Sequence, residues 1–259
     1  MKKIICLLLI LIASVTFADE LKYNTVAIIS IDALHPDAVQ RQYAPNLFKL
    51  IDSGFYSPEG TSTKPPKTLI AHTAMVTGLL PEQNGKKDNN WSKSEARVSK
   101  DTMLSYAKKH GYKTALIYSK PKLGYLGSDA ADNEIYSPQD AVEKATEAVD
   151  VSKPQFIFLH ISGLDTEGPI SGWMSPEYLD EFNFIDEQLG VLIAKIQQSP
   201  SFLIVITSDH AGHDKIHGSD HTEDYKRPLI IQSSKEIIKN VPAEALRIEG
   251  LKSYLESIL

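Results

Sequence analysis

The chain has 259 residues, 42% of them hydrophobic and 23% charged, which is enough for one large α/β domain with a sizeable core. A formal net charge of −6 excludes a general nucleic-acid binder, which needs a basic face, but leaves room for a small anionic substrate drawn to a locally cationic site. Cys6 is the only cysteine, so a disulfide framework and thiolate metal centres are both excluded, and any metal must be held by imidazole, carboxylate or hydroxyl groups.

Residues 1–18 read as a signal peptide: Lys2 and Lys3 precede an apolar stretch at 4–12, and small residues end at Ala18. Ser14 and Thr16 interrupt that stretch well short of the roughly 20 apolar residues a membrane span requires. The expectation is therefore an exported chain, periplasmic or secreted, with no membrane span after cleavage and with residues 19–259 as one hydrolase domain. Loss of Lys2 and Lys3 takes the net charge from −6 to −8. Cys6 lies too early in the leader to be a lipid-modified residue at the cleavage point.

Near-continuous apolar runs follow at 25–31, 113–119, 155–161, 202–207 and 228–232, the pattern of strands buried on both faces. Helical patterns lie between them. "SPQDAVEKATEAV" from Ser137 and "SPEYLDEFNFIDEQLGVLIAKIQQ" from Ser175 each offer a serine N-cap with proline at the first helical position. Strands alternating with helices predict an α/β fold, a mostly parallel central sheet with helices on both faces, whose ligands gather at the carboxyl ends of the strands.

Three of the apolar runs lead into an aspartate: Asp32, Asp165 and Asp209. Each alone is an ordinary turn former or helix cap. Carboxylates brought together on one rim must instead protonate, gain hydrogen bonds or bind cations. The stretch "TSDHAGHDKIHGSDH" at 207–221 adds four of the chain's eight histidines. A mixed imidazole and carboxylate set suits zinc best among divalent metals.

A second signal lies in "TSTKPPKTLIAHTAMVTGLLPEQNGKKDNNW" at 61–91. Pro65 and Pro66 bar a helix until just before Thr68, after which helical spacing runs to about Gly78 and Pro81. Thr68 then stands at a helix N-terminus, where the partial positive charge and free N–H groups suit a phosphate and an incipient alkoxide. Alone, a threonine there would be a plain cap.

Together, "SIDALHPDAVQRQYAPNLFKLIDSG", "PPKTLIAHTAMVTGLLPEQNG", "GWMSPEYL" and "TSDHAGHDKIHGSDHTEDYKRPLII" resemble the nucleotide pyrophosphatase/phosphodiesterase (type I phosphodiesterase) branch of the alkaline phosphatase superfamily, with gaps, from about Val26 to Ile231. The resemblance implies an alkaline phosphatase-like sheet sandwiched by helices and two adjacent divalent ions, zinc by preference. It also implies an exported phosphodiesterase or nucleotide pyrophosphatase that works through a phospho-threonine. Asp32, Thr68, Asp209 and His210 resemble the ligands of one metal, with Thr68 the nucleophile, and Asp165 and His217 those of the other. Asn89 stands where the family has a donor to a phosphate oxygen; on its own residues alone it reads as a turn residue. A small phosphoester or nucleotide is the implied substrate.

One departure stands out. In "DTEGPISG", Pro169 replaces the histidine that the family uses beside Asp165 and His217, leaving that metal with two evident ligands where a zinc site wants three. Glu167, His213 and His221 are candidate substitutes, and a loop histidine is also an ordinary solvated side chain. His160 reads as a satisfied core histidine and His72 as a packing or hydrogen-bonding neighbour of the nucleophile helix. Asn84-Gly85 and Ala71 are lesser departures. The loss at Pro169 keeps two other readings open: a phosphomonoesterase or one-metal variant, and a catalytically silent metal-binding relative.

Overall fold

The computed structural model describes residues 21–259; the signal-peptide reading of 1–18 lies outside the described residues. Strands β1 (Thr25–Ile31), β2 (Phe55–Thr61), β3 (Lys113–Tyr118), β4 (Asn133–Tyr136), β5 (Gln155–Ile161), β6 (Phe202–Thr207) and β7 (Lys226–Ser233) form one sheet in the order β2-β7-β6-β1-β5-β3-β4. From β6 through β1, β5 and β3 to β4 all pairings are parallel, whereas β7 and β2 add antiparallel at the other edge. This is the mostly parallel α/β sheet expected from the buried apolar runs.

Strand pleating divides the core in two. In β1, Val26 and Ile28 face one side of the sheet with Phe156, Phe158, Leu203 and Val205, and Ala27, Ile29 and Ile31 face the other with Ile157, Leu159, Ile204 and Ile206. The helices are α1 (Pro45–Ile51), α2 (Thr68–Thr77), α3 (Pro81–Asn84), α4 (Met103–Lys109), α5 (Ala141–Ala148), α6 (Gly163–Ser171), α7 (Pro176–Ile196), α8 (Ala243–Leu246) and α9 (Gly250–Ile258). Apolar side chains of α1, α5 and α7, among them Leu47, Val142, Phe182 and Leu189, cover the second side. Those of α2, α4 and α9, among them Leu69, Met75, Leu104 and Leu251, cover the first. None of these helices is long and apolar enough to cross a membrane.

Ser175 caps α7 as expected, accepting from the Tyr178 N–H. Ser137 does not cap a helix. Its N–H donates to the Tyr118 carbonyl at 2.9 Å, prolonging the β3 edge, and α5 begins at Ala141 behind Asp140. The edge strands β2 and β4 have no apolar run to reveal them. β2 reads "FYSPEGT", with a register shift between Ser57 and Gly60, and a proline is tolerated there because an edge strand can lack an N–H.

One buried cation fastens β6, and hence the loop after it, to the antiparallel edge. Arg227 of β7 is fully buried, and its partners are neutral oxygens: the carbonyls of Thr61 (3.2 Å) and Leu246 (3.1 Å) and the hydroxyl of Thr207. Burial lowers its pKa to about 10. Arg227→Met is expected to lower stability by about 2 kcal/mol, because the Leu246 carbonyl loses its donor and the buried Thr207 hydroxyl loses one partner. Urea denaturation checks this, and a loss under about 1 kcal/mol would contradict the bracing role.

Candidate active site

The strand order decides what meets at the rim. The carboxyl ends of β6, β1, β5 and β3 lie side by side, so the residues that follow them, Asp209 and His210, Asp32, Asp165 in the first turn of α6, and Lys120, are neighbours in space. Asp32 leaves β1 with its N–H on the Ile161 carbonyl at 2.8 Å. Ala33 then takes φ +63°, a left-handed conformation that costs a residue with a Cβ about 1 kcal/mol. Three hydrogen bonds hold it there: its N–H donates to Asp209 Oδ1 (3.2 Å), and its carbonyl accepts from Tyr178 Oη (2.8 Å) and Trp173 Nε1 (3.3 Å). Trp173 reaches this carbonyl across Gly212, where a Cβ would lie 2.5 Å from the indole.

Thr68 is the first residue of α2 and is 2% exposed. The next N–H, of Leu69, donates to Asn89 Oδ1 at 2.8 Å, which caps the helix from outside and holds the Asn89 amide at the first turn of α2. Behind the threonine, His72 Nδ1 donates to the Thr68 carbonyl (2.7 Å), so its Nε2 accepts from Ser30 Oγ (2.8 Å). Burial lowers the His72 pKa to about 4 and keeps this ring neutral.

Four ligand-type atoms are buried at the rim without a hydrogen-bond partner among the described residues: Asp32 Oδ1, Asp165 Oδ1, Asp209 Oδ2 and His210 Nε2. His210 Nε2 stands 3.4 Å, 3.5 Å and 3.6 Å from the oxygens of Asp32, Asp209 and Asp165, and His217 Nε2 is 3.3 Å from Asp165 Oδ1. His210 Nδ1 donates to the Ala211 carbonyl at 2.9 Å, which leaves Nε2 facing the carboxylates; burial works against a charge on this ring, but Asp209, Asp32 and Asp165 outweigh it and raise its pKa, so in metal-free protein a proton on Nε2 takes the position that a cation would occupy. Two sets, Asp32 with Asp209 and His210, and Asp165 with His210 and His217, each bring their donor atoms within 4.8 Å of one another. Orphaned carboxylate oxygens and an imidazole nitrogen converging in the interior are, once that nitrogen gives up its proton, the donor set of a divalent cation, so the residues fit the metal that the sequence implies.

The site was expected at Asp32, Thr68, Asn89, Asp165, Asp209, His210 and His217, and these seven lie around one rim. His210 is shared between the two donor sets rather than confined to the first. The three candidate substitutes for the missing ligand lie outside both sets. Glu167 accepts from Ser171 Oγ within α6; His213 bonds Asp224 at 2.7 Å; His221 stacks on His213 with ring centroids 3.8 Å apart. Pro169 sits inside α6.

His160 is the satisfied core histidine expected, but one of its partners is a rim carboxylate, and Lys120 went unread in the sequence. His160 Nε2 donates to Asp32 Oδ2 at 2.9 Å, steadying the carboxylate from behind. Lys120 Nζ lies 2.6 Å from the same oxygen, contacts Asp165 Oδ2 and donates to Thr68 Oγ1 at 3.3 Å. Lys120 follows β3 as the aspartates follow their strands, so the positional rule applied to acids would have found it had it been applied to bases.

These groups perturb one another in opposite directions. Burial would raise the Asp32 pKa, but Lys120, His160 and His210 outweigh it and hold the carboxyl well below its usual range. Burial and the Asp32 charge push Asp209 up to about 7. Burial opposes the Lys120 charge too, yet Asp32, Asp165 and Asp209 outweigh it and raise its pKa. In metal-free protein, folded Asp209 thus keeps a proton between its ordinary 3.8 and about 7 that the unfolded chain has lost. That contribution to stability falls as pH rises through the window. Asp209→Asn is expected to flatten this slope relative to the parent in chelator-treated denaturation curves; parallel pH profiles for the two proteins would contradict it.

A mostly parallel sheet whose strand ends gather carboxylates and imidazoles beside a helix-terminal threonine defines the alkaline phosphatase-like class. Within that superfamily the chain belongs to the type I phosphodiesterase / nucleotide pyrophosphatase family, whose model matches residues 26–249. It is 23% identical over 224 residues to an uncharacterized pyrophosphatase/phosphodiesterase of Schizosaccharomyces pombe, covering 72% of this chain and 44% of that one. A solved alkaline phosphatase superfamily protein from Vibrio parahaemolyticus shares the fold with TM-score 0.64 at 18% identity, over 92% of this chain and 66% of that one. Murine ectonucleotide pyrophosphatase/phosphodiesterase 5 does so with TM-score 0.59 at 19% identity, over 72% and 57%. The chain spans less than half the length of the curated relatives it matches.

Proposed function

We propose that this protein is an exported, metal-dependent phosphoric ester hydrolase, a phosphodiesterase or nucleotide pyrophosphatase that acts through a covalent phospho-threonine at Thr68. The observation that carries this reading is the set of four orphaned donor atoms beside a threonine hydroxyl at a helix N-terminus. Asp32, Asp209, His210 and Thr68 would hold one divalent ion, zinc by their donor chemistry, and that ion would supply the Lewis acidity that activates a hydroxyl at neutral pH. Asp165 and His217 form the other half of the donor rim.

The chain's own groups do the rest. Thr68 Oγ1 attacks phosphorus, an Oγ1–P bond forms, and the bond to the leaving alkoxide breaks. The hydroxyl proton passes to water and the alkoxide takes one up. Water then splits the phospho-threonine and regenerates Thr68. Asn89 Nδ2, aimed by the bond between its Oδ1 and the Leu69 N–H, donates to the charge that grows on a phosphoryl oxygen, and the N-terminus of α2 adds its partial positive charge. Export rests on the leader at 1–18, and the substrate class on family membership. The murine relative is inactive as a threonine-to-alanine variant and was solved in complex with AMP, which supports a threonine-dependent reaction and a small nucleotide ligand for this chain.

Thr68→Ala is expected to abolish hydrolysis of a chromogenic diester, and Asn89→Ala to lower kcat by about 10²-fold or more with a smaller effect on KM. Unchanged turnover in Thr68→Ala sinks the reading in favour of a silent relative, and a clear preference for the matching monoester overturns the substrate class. Chelation is expected to stop turnover and lower Tm, zinc to restore both, and Asp209→Asn to lose the Tm response to zinc. A chelated protein with full activity contradicts metal dependence.

A further inference from the structure

The rim offers donors for one complete metal site, and the shortfall at the second is matched by a side chain that carries its own charge. Once His210 is committed to the set with Asp32 and Asp209, the second set retains Asp165 and His217 alone. Pro169 has no donor to add, and Glu167, His213 and His221 are engaged elsewhere. A zinc site with two protein ligands is weak.

Lys120 lies across this gap. It leaves the end of β3, beside β5 in the sheet, and its ammonium reaches both Asp32 Oδ2 (2.6 Å) and Asp165 Oδ2 while standing 3.3 Å from Thr68 Oγ1. Its side chain is 16% exposed, so this is an interior charge and not a surface pair. Three carboxylates meet here, and one divalent ion leaves one negative charge uncompensated; a single ammonium bridging two of the three removes it. A second divalent ion at Asp165 and His217 would instead bring a like charge against that ammonium.

Resting on the reading of the rim as a metal-binding centre, we infer that Lys120 is this protein's built-in second cation: the chain takes up one divalent ion, and the Lys120 ammonium fills the charge role of the other beside Thr68. The ammonium steadies the threonine oxygen and offers N–H donors to a phosphoryl oxygen of the bound ester. Fixed by the chain, it needs no third ligand at position 169.

Zinc content tests this without reference to turnover. The full chain, stripped with chelator and dialysed against increasing free zinc, is expected to hold one ion with no second uptake near the first affinity. Lys120→Met removes the competing charge and is expected to tighten uptake of a second ion by about 10-fold or more, and Asp165→Asn in that background to remove the gain. Lys120→Gln, which keeps the length and polarity of the side chain without the charge, serves as the second variant and is expected to behave alike, with circular dichroism confirming that each is folded. Two ions of similar affinity in the parent, or second-ion uptake unchanged in both folded Lys120 variants, overturn the inference. A parent that binds no zinc removes the metal-centre reading itself, and the inference with it.

Discussion

Three carboxylates, Asp32, Asp165 and Asp209, are forced together at one sheet rim, two of them fully buried, and the molecule must neutralise them. Their convergence is not a local accident. Each is attached to a strand whose side chains fill the core on both faces, and β6, β1 and β5 are adjacent and parallel, so the three chain exits cannot separate without breaking the centre of the sheet. The core thus fixes a concentration of negative charge that is unfavourable in itself and favourable only with cations present. The opposite displacements of two of these carboxyls follow from it: Lys120, His160 and His210 hold Asp32 well below its usual range, and burial with the Asp32 charge pushes Asp209 up.

The surrounding groups limit how the rim can relax. His160 and His72 donate hydrogen bonds from behind, to Asp32 and to the Thr68 carbonyl, so neither the carboxylate nor the backbone of Thr68 is free to turn away. The strained Ala33 is locked by Asp209, Tyr178 and Trp173, which ties the β1 exit to the β6 exit and to the segment between α6 and α7. Preorganisation of this kind matters for phosphoryl transfer, where there is little covalent chemistry for a protein to perform beyond placing charge and nucleophile.

The centre of the fold was legible in the sequence because strands buried on both faces write themselves as apolar runs: β1, β5 and β6 read directly from 25–31, 155–161 and 202–207. The edges were not. β2 and β4 carry Pro58, Glu59 and Glu134 among their residues, since an edge strand has one face and one hydrogen-bonding side to satisfy. Ser137-Pro138 carries the same signature as Ser175-Pro176 but continues an edge, because pairing with Tyr118 competes with capping. At the site, the acids after strands were recognised together and not singly, because carboxylates gathered on one rim must protonate, gain hydrogen bonds or bind cations. Lys120 was not, because a lysine after a strand is ordinarily solvated, and only the strand order puts it between Asp32 and Asp165. Pro169 reads as a lost ligand, and Lys120, the cation we infer answers that loss, follows a different strand.

The most direct test of the account is to quench the metal-replete protein within milliseconds of mixing with a diester and to map phosphate on its peptides by mass spectrometry. The account predicts a phosphoryl group on the Thr68 peptide, formed and lost at the rate of turnover. Turnover with no phosphate on Thr68, or with phosphate on another residue, would contradict it.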